Sequence, residues 1–364
     1  MSDRRWMALA LGLGARGLGR VWPNPAVGCV LVRAGRVVGR GWTAPGGRPH
    51  AEIVALQQAG GAARGATAYV TLEPCNHQGQ TGPCAQALID AGVARVVVAM
   101  ADPNPVAGGG LDRLRAAGIA VESGVLEAQA AEAHRGFVTR IQEGRPMVTL
   151  KLATSLDGRI ATASGESQWI TGPEARRRVH GMRMVHDAVL VGAGTARADD
   201  PSLTVRGMGA VAQPGRVVMS RRLGVSVESK LGRSARDVPV WMIHGPDAPK
   251  AARDAWHAAG ARLFEVATGA GGQVEVGAAM QALGAAGLTR VFCEGGGSLA
   301  ASLLGADLVD DLSVFSGGAM LGAEGVPAIG ALGIAALAEA PRFTLRGVER
   351  VGADALAHWR RNPA

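Results

Sequence analysis

The placement of four residues constrains this chain most: His50, Glu52, Cys75 and Cys84. One His and two Cys supply three ligands to a zinc ion and leave the fourth position for water, the open coordination of a catalytic site. A carboxylate two residues after the His is the wrong residue for a fourth ligand there. It is the right residue to move protons for a water that the metal activates. Pro49 precedes a predicted helix that starts at His50 and stops at Gly60-Gly61. The predicted strand Thr67 to Leu72 delivers Glu73-Pro74-Cys75, and Gly82-Pro83-Cys84 opens a second helix ended by Gly92. Two helix N-termini thus aim at one point, and their dipoles favour Cys75 and Cys84 as thiolates.

H-x-E followed by P-C-x-x-C marks the zinc nucleobase deaminases. His50, Glu52 and Pro74-Cys75 match it, whereas the second Cys lies nine positions on, beyond the insert Asn76 to Pro83. A closed structural zinc would need a fourth ligand nearby, and His77 could supply one. Ligand count favours the open site and leaves His77 as a substrate or insert-loop residue.

The rest of the chain reads as alternating elements. A helix is expected over residues 3–19, then a rigid loop Trp22-Pro23-Asn24-Pro25 and a hairpin (Val27 to Val32, Arg36 to Gly41) around Ala34-Gly35. Asn24 is either a turn residue or, just before the first strand, a substrate contact. Strand Arg95 to Met100, the loop Asp102-Pro103-Asn104-Pro105, a helix and a strand to Glu122 complete an α/β/α sandwich. Residues 127–143 look like a connecting helix, and the domain boundary is set at Gly144-Arg145-Pro146, giving domains 1–145 and 146–364. Strands are expected at Val148 to Ala153, Asp187 to Gly192, Arg216 to Met219 and Val238 to Ile243. A further strand, Thr289 to Cys293, feeds Glu294-Gly295-Gly296-Gly297-Ser298 and a helix. Strand, triple glycine and helix N-terminus can cradle a phosphate; on its own the run leaves cofactor binding and a plain turn equally open.

Composition narrows the function class. Residues 1–145 carry 15 Arg against 10 acids, and the remainder 23 basic residues against 20 acids. Only three of the basic residues are Lys, and the Arg are scattered without a polybasic block, which argues for a solvated surface over a nucleic-acid face. Four Cys in a long chain do not make a disulfide scaffold, and Cys29 and Cys293 read as small buried thiols. No apolar run is long enough to span a membrane, and the N-terminal stretch reads on into a helix without a convincing cleavage site. A cytoplasmic protein is expected.

With PNPAVGCV (23–30), HAE (50–52), TLEPCNH through GPC (71–84), DPNP (102–105), RPMVTLKLATSLDGRIA (145–161), SQWIT (167–171), VLVGAGTARADDPSLTVR (189–206) and CEGGGSLAASLL (293–304), nearly the whole chain resembles the bifunctional riboflavin-biosynthesis family. In that family a pyrimidine deaminase is fused to an NADPH-dependent reductase. The resemblance implies a cytidine-deaminase-like α/β/α sandwich followed by a dihydrofolate-reductase-like α/β domain. It implies deamination of 2,5-diamino-6-ribosylamino-4(3H)-pyrimidinone 5′-phosphate, then reduction of the ribosyl chain to ribityl. Carried over, one zinc is held by His50, Cys75 and Cys84, and Glu52 shuttles protons. Asn24, His77, Asp102 and Asn104 contact the pyrimidine. NADPH meets Ala153, Trp169, Thr195, Asp199, Ser220, Gly296, Gly297, Ser298, Leu299, Ala300, Ala301 and Ser302, and the second substrate meets Ser167, Arg183, Leu203, Arg206 and Glu294. Lys151, Arg183 and Arg206 suit an anionic phosphate or a polarised carbonyl. The expected partners are a phosphorylated pyrimidine and further copies of the chain, as a dimer or tetramer, with neither nucleic acid nor membrane.

Three positions depart from the family pattern. Thr43 stands where a His is common, Gln80 where a Lys or Arg is common, and the loop Val106 to Gly110 is one residue short and lacks an Arg. Each change removes a positive or protonatable group near the expected pyrimidine site and leaves the zinc core untouched. Two other readings compete: a nucleic-acid base deaminase with an unrelated C-terminal domain, and a zinc-stabilised nucleotide-binding module without catalysis. The first wants a basic groove with stacking aromatics, and residues 1–145 offer only Trp6, Trp22, Trp42, Tyr69 and Phe137. The intact Glu52 argues against the second.

Overall fold

The structure is a computed structural model and describes residues 3–79, 82–269 and 271–362. It divides into two compact units, Met1–Gly144 and Arg145–Ala364.

In the first unit α1 (Asp3–Gly14) leads into β1 (Gly28–Arg33), β2 (Arg36–Trp42), α2 (Ala51–Ala59), β3 (Thr67–Val70), α3 (Cys84–Asp90), β4 (Arg95–Val98), α4 (Gly110–Ala116), β5 (Ala120–Ser123) and α5 (Glu127–Glu143). The five strands lie in the order β2-β1-β3-β4-β5. β1 runs antiparallel to both its neighbours, and β3, β4 and β5 are parallel. The β1–β2 turn places Ala34 and Gly35 at φ 49° and 73°, the twist that a two-residue hairpin favours. Helices cover both faces, so the strands are apolar at consecutive positions: Val96, Val97 and Val98 are all fully buried. Cys29, Leu31, Val70 and Val98 pack against Ala51, Ala55, Leu88 and Leu114 on one face. Val30, Val32, Tyr69 and Val97 pack against Trp6, Met7, Ala10 and Leu13 on the other. The first helix ends at Gly14 and passes into a 3₁₀ turn, Ala15–Gly17, short of the expected residue 19. Glycine weakens a helix interior by roughly 1 kcal/mol each, and four fall between 12 and 19.

The second unit opens with β6 (Met147–Thr154), β7 (Arg159–Ala161), α6 (Pro173–Met184), β8 (Ala188–Gly192), α7 (Ala193–Asp199), β9 (Gly215–Met219) and the short α8 (Lys230–Arg233). It continues through β10 (Val240–His244), α9 (Lys250–Ala258), β11 (Arg262–Glu265), α10 (Val276–Ala285), β12 (Arg290–Cys293) and α11 (Gly297–Gly305). It closes with β13 (Asp311–Ser316), β14 (Val326–Pro327), β15 (Phe343–Val351) and β16 (Asp354–Arg361). Nine strands form one sheet, β11-β10-β9-β8-β12-β6-β13-β16-β15. It is parallel from β11 to β13 and antiparallel over the last two strands. Parallel order puts the C-terminal ends of β6, β8, β9 and β12 at one rim, where ligands of open α/β sheets bind. Cys29 and Cys293 are both buried free thiols. Among the described residues no helix is long and apolar enough to cross a membrane.

His186, just after α6, ties together the opposite edge of this sheet, where β6 and β8 begin. Its Nδ1 donates to the Met182 carbonyl at 2.7 Å, which leaves Nε2 to accept from the Thr149 hydroxyl at 3.0 Å. Its ring lies 5.1 Å from that of Phe292. Burial pushes the imidazole down to about 4. The unfolded chain binds this proton below about pH 6.5 and the folded chain resists it, so the histidine's contribution is complete above that pH and falls away as pH drops towards 4. Roughly 3 kcal/mol should be lost across that window, checked by urea unfolding of wild type and His186→Gln at pH 7.5 and 5. The variant is expected to show the shallower pH slope; equal slopes would exclude this role.

Candidate active sites

In the first unit the backbone brings three donors together. His50 is the N-cap residue of α2, in extended conformation; Cys84 is the first residue of α3; Cys75 lies in the loop after β3. His50 Nδ1 is 3.6 Å from Cys75 Sγ and 3.3 Å from Cys84 Sγ, and the Cys84 N–H points to Cys75 Sγ at 3.4 Å. Tetrahedral zinc–sulfur and zinc–nitrogen bonds set such N···S edges near ~3.6 Å. All three donor atoms lie within 4.8 Å of one another, in a group that does not include His77. The contact with Cys84 holds the Cys75 thiol well below its usual range, whereas the contact with Cys75 and burial push Cys84 up. Two adjacent sulfurs do not both ionise unless a cation shares them. A dication meets that need, and the donor set fits zinc.

Glu52, in the first turn of α2, is only 3% exposed. Burial pushes its carboxyl up to about 7, where it can both accept and return a proton. Asn24 donates to the Gly47 carbonyl at 2.7 Å. The Asp102 carboxyl, pushed up to about 6 by burial, accepts from the Asn104 N–H, and Asn104 Oδ1 accepts from Val106 N–H. These two side chains therefore shape their own turn.

The same geometry reveals roles that spacing did not show. Glu73 is 8% exposed, and its two oxygens accept from the backbone N–H groups of Asp102 (3.2 Å) and Leu111 (3.1 Å), pinning both ends of the 102–111 loop. Arg113 donates to the side-chain carbonyls of Asn76 and Gln86. A Cβ on Gly110 would lie 1.8 Å from the Pro74 carbonyl oxygen, so only glycine lets this loop seat against Pro74-Cys75. Thr43 belongs to the scaffold: its hydroxyl accepts from Val27 N–H and donates to the Pro25 carbonyl. Gln80 lies outside the described residues.

In the second unit a cavity of about 600 Å³ opens at the sheet rim. Of the residues singled out by sequence, Lys151, Ala153, Ser167, Trp169, Arg183, Thr195, Asp199, Leu203, Arg206, Glu294 and Gly296 line it. Gly297, Ser298, Ala301 and Ser302 line a second cavity of about 570 Å³ along α11. Three residues line neither. Ser220 is buried, its hydroxyl accepting from Gly224 N–H; Ala300 is in the core; the Leu299 side chain packs against Gly295.

Arg183 and Glu294 form a bidentate pair, with Nε–Oε1 at 2.5 Å and Nη2–Oε2 at 3.0 Å, and Arg183 Nη1 also donates to the Thr204 carbonyl. Burial opposes charge on Glu294, yet Arg183 keeps its carboxyl below the usual range. Burial pushes the Lys151 ammonium down, against the pull of Glu294 and Asp199. The Thr195 hydroxyl accepts from Gly296 N–H, fixing the turn into α11. Trp169, 67% exposed, stacks under the Arg176 guanidinium at 4.4 Å. Cations, a buried carboxylate and glycine backbone at a helix N-terminus suit a phosphorylated substrate and a dinucleotide.

Comparison with known proteins agrees with both sites. Residues 1–100 match the model of the cytidine and deoxycytidylate deaminase zinc-binding region, and residues 146–357 that of the RibD C-terminal domain. The chain is 42% identical over 365 residues to the riboflavin biosynthesis protein RibD of Escherichia coli, covering 98% of this chain and 99% of that one. The structure superposes on Acinetobacter baumannii RibD with a TM-score of 0.89 at 38% identity, covering 99% of each chain. It superposes on a diaminohydroxyphosphoribosylaminopyrimidine deaminase/5-amino-6-(5-phosphoribosylamino)uracil reductase of Thermotoga maritima with a TM-score of 0.86 at 33% identity, covering 99% of this chain and 98% of that one.

Proposed function

The chain belongs to the RibD family of bifunctional riboflavin-biosynthesis enzymes, and from that premise we propose how its residues divide the work. It is a zinc-dependent deaminase joined to an NADPH-dependent reductase. The first unit deaminates 2,5-diamino-6-ribosylamino-4(3H)-pyrimidinone 5′-phosphate, and the second reduces the ribosyl chain of the product to ribityl.

His50, Cys75 and Cys84 would hold zinc, which when bound supplies Lewis acidity that makes water a nucleophile near neutral pH. Glu52 takes a proton from that water as oxygen bonds to the amine-bearing ring carbon. It returns the proton to the amine as the carbon–nitrogen bond breaks, and ammonia leaves. Asn24 and His77 orient the pyrimidine, while Glu73 holds the Asp102–Asn104 loop in position through its two backbone contacts.

In the second unit the glycines 295–297 and the start of α11 would receive NADPH, which when bound supplies a hydride. Opening the sugar ring requires a proton on the ring oxygen, and Lys151, its ammonium weakened by burial, is the residue suited to give it. Arg206 and the Arg183–Glu294 pair orient the phosphorylated chain.

The scattered arginines support a small-molecule enzyme that does not bind nucleic acid. The thiol ligands and two buried free cysteines support a reducing, cytoplasmic setting. The edge strand β15, with exposed Leu345 and Val348, supports a homo-oligomer, dimer or tetramer.

The convergence of His50, Cys75 and Cys84 beside buried Glu52 carries the deaminase reading. Metal removal tests it. Chelation should abolish ammonia release, leave NADPH oxidation with the already deaminated compound intact, and be reversed by added zinc. Ammonia release that survives in metal-free protein would refute the reading.

A further inference from the structure

The cavity of the second unit is lined by Arg176, Arg183 and Arg206, and two of the three are committed. Arg183 directs its guanidinium to Glu294 and the Thr204 carbonyl. Arg176 stacks on Trp169 and donates to the Thr171 carbonyl at 2.8 Å. The Arg206 side chain, exposed in the same cavity, has no hydrogen bond or ion pair with any described residue; only its backbone is bonded. A long unpaired side chain meets an anion well only when the backbone that carries it is fixed.

That backbone is held mainly from α6. His180 and Arg183 lie three residues apart on this helix, a spacing that puts them on one face. His180 Nδ1 accepts from the Arg206 N–H at 3.3 Å, and Arg183 Nη1 donates to the Thr204 carbonyl at 2.8 Å. Val205, between them, is gripped on both sides by the Gln213 amide: its N–H donates to Oε1 at 2.6 Å and its carbonyl accepts from Nε2 at 3.1 Å. Of these three holders only His180 and Arg183 line the cavity, and only His180 bonds the residue that carries the uncommitted guanidinium. A backbone N–H can only donate, so His180 must present a bare Nδ1 and keep its proton on Nε2. Burial and the charges of Arg183 and Arg206 hold the imidazole below its ordinary range, against the pull of Glu294 and the Thr204 carbonyl, which keeps Nδ1 bare near neutral pH.

We propose that His180 is a positioning residue of the reductase site: its Nδ1 fixes the Arg206 backbone so that the guanidinium meets the substrate phosphate. The proposal rests on the reading that the second unit takes a phosphorylated substrate at Arg206, and it adds the residue that acts through that arginine.

The test follows NADPH oxidation by the full chain with the already deaminated compound. Wild type is run beside His180→Leu, His180→Asn, Arg206→Ala and the double variant of His180→Leu with Arg206→Ala. Leucine keeps the bulk without an acceptor, whereas asparagine places an amide oxygen where Nδ1 stood. His180→Leu should raise KM for the compound about threefold to tenfold, the effect of one hydrogen bond, with kcat and the KM for NADPH changed little. His180→Asn should recover most of that loss. Arg206→Ala should raise KM further, and in that background His180→Leu should add nothing, because both act through one guanidinium. Additive losses in the double variant, an equal rise in the KM for NADPH, no recovery by asparagine, or no loss in His180→Leu overturns the proposal and leaves the reductase reading standing. A wild-type KM in Arg206→Ala overturns the assignment of Arg206, and the proposal with it. A wild type that oxidises no NADPH overturns the reductase reading itself.

Discussion

Glu52→Gln is expected to lower deamination by about a hundredfold to ten-thousandfold, the usual contribution of a positioned acid–base group. The amide keeps the shape and the hydrogen-bonding reach of the carboxyl but cannot carry a proton from water to amine. Folding should not suffer. Burial already pushes the carboxyl up to about 7, so near neutrality the site tolerates an uncharged group. Zinc should also stay, because the three converging donors come from His50, Cys75 and Cys84. The measurement is therefore paired: ammonia release and zinc per chain on the same preparation. Loss of activity with zinc retained is the expected result. Loss of zinc would make Glu52 a ligand and undo the assignment.

Glu294→Gln should have the second large effect, confined to the other activity. The variant leaves the Arg183 guanidinium in a site where each partner side chain is only 11% exposed, with half of its bidentate acceptor replaced by an amide. Removing one member of a buried pair costs about 3–5 kcal/mol, because the remaining charge stays desolvated. Part of that should appear as a lower unfolding midpoint of the second unit. The rest should appear as a fall in kcat/KM for NADPH oxidation of at least about a hundredfold, since ~1.4 kcal/mol is worth tenfold. Ammonia release, which belongs to the first unit, should be unaffected. Full reductase activity in the variant would show that the pair is scaffold alone.

These two residues also show which parts of the molecule could be read from the sequence. Glu52 was legible because its chemistry needs rare residue types at fixed spacing: His, then Glu two positions on, then two Cys at strand and helix ends. Glu73 lies in the same motif, yet its work is to accept two backbone N–H groups from a loop about 30 residues away, and no spacing encodes that. Glu294 was singled out only through the family resemblance of the segment CEGGGSLAASLL (293–304). Its ion pair with Arg183 joins positions 111 residues apart and emerges only when α6 and β12 pack in one unit.

Side-chain direction was the commonest thing hidden. Leu299 and Ala300 sit inside the glycine-rich segment, but the helical turn aims one at Gly295 and the other into the core. β13, β15 and β16 carried no motif, and along β15 the burial runs between exposed and half-buried, so the apolar alternation that marks a strand is faint.

The central claim is that one chain runs two reactions in a fixed order. The most direct measurement gives zinc-loaded protein the diaminopyrimidine ribosylamino phosphate with NADPH and follows ammonia release and NADPH oxidation together. Ammonia should appear first and NADPH loss should follow it one for one, whereas the already deaminated compound should oxidise NADPH at once and release no ammonia. NADPH oxidation from the diamino compound without ammonia release would contradict the account.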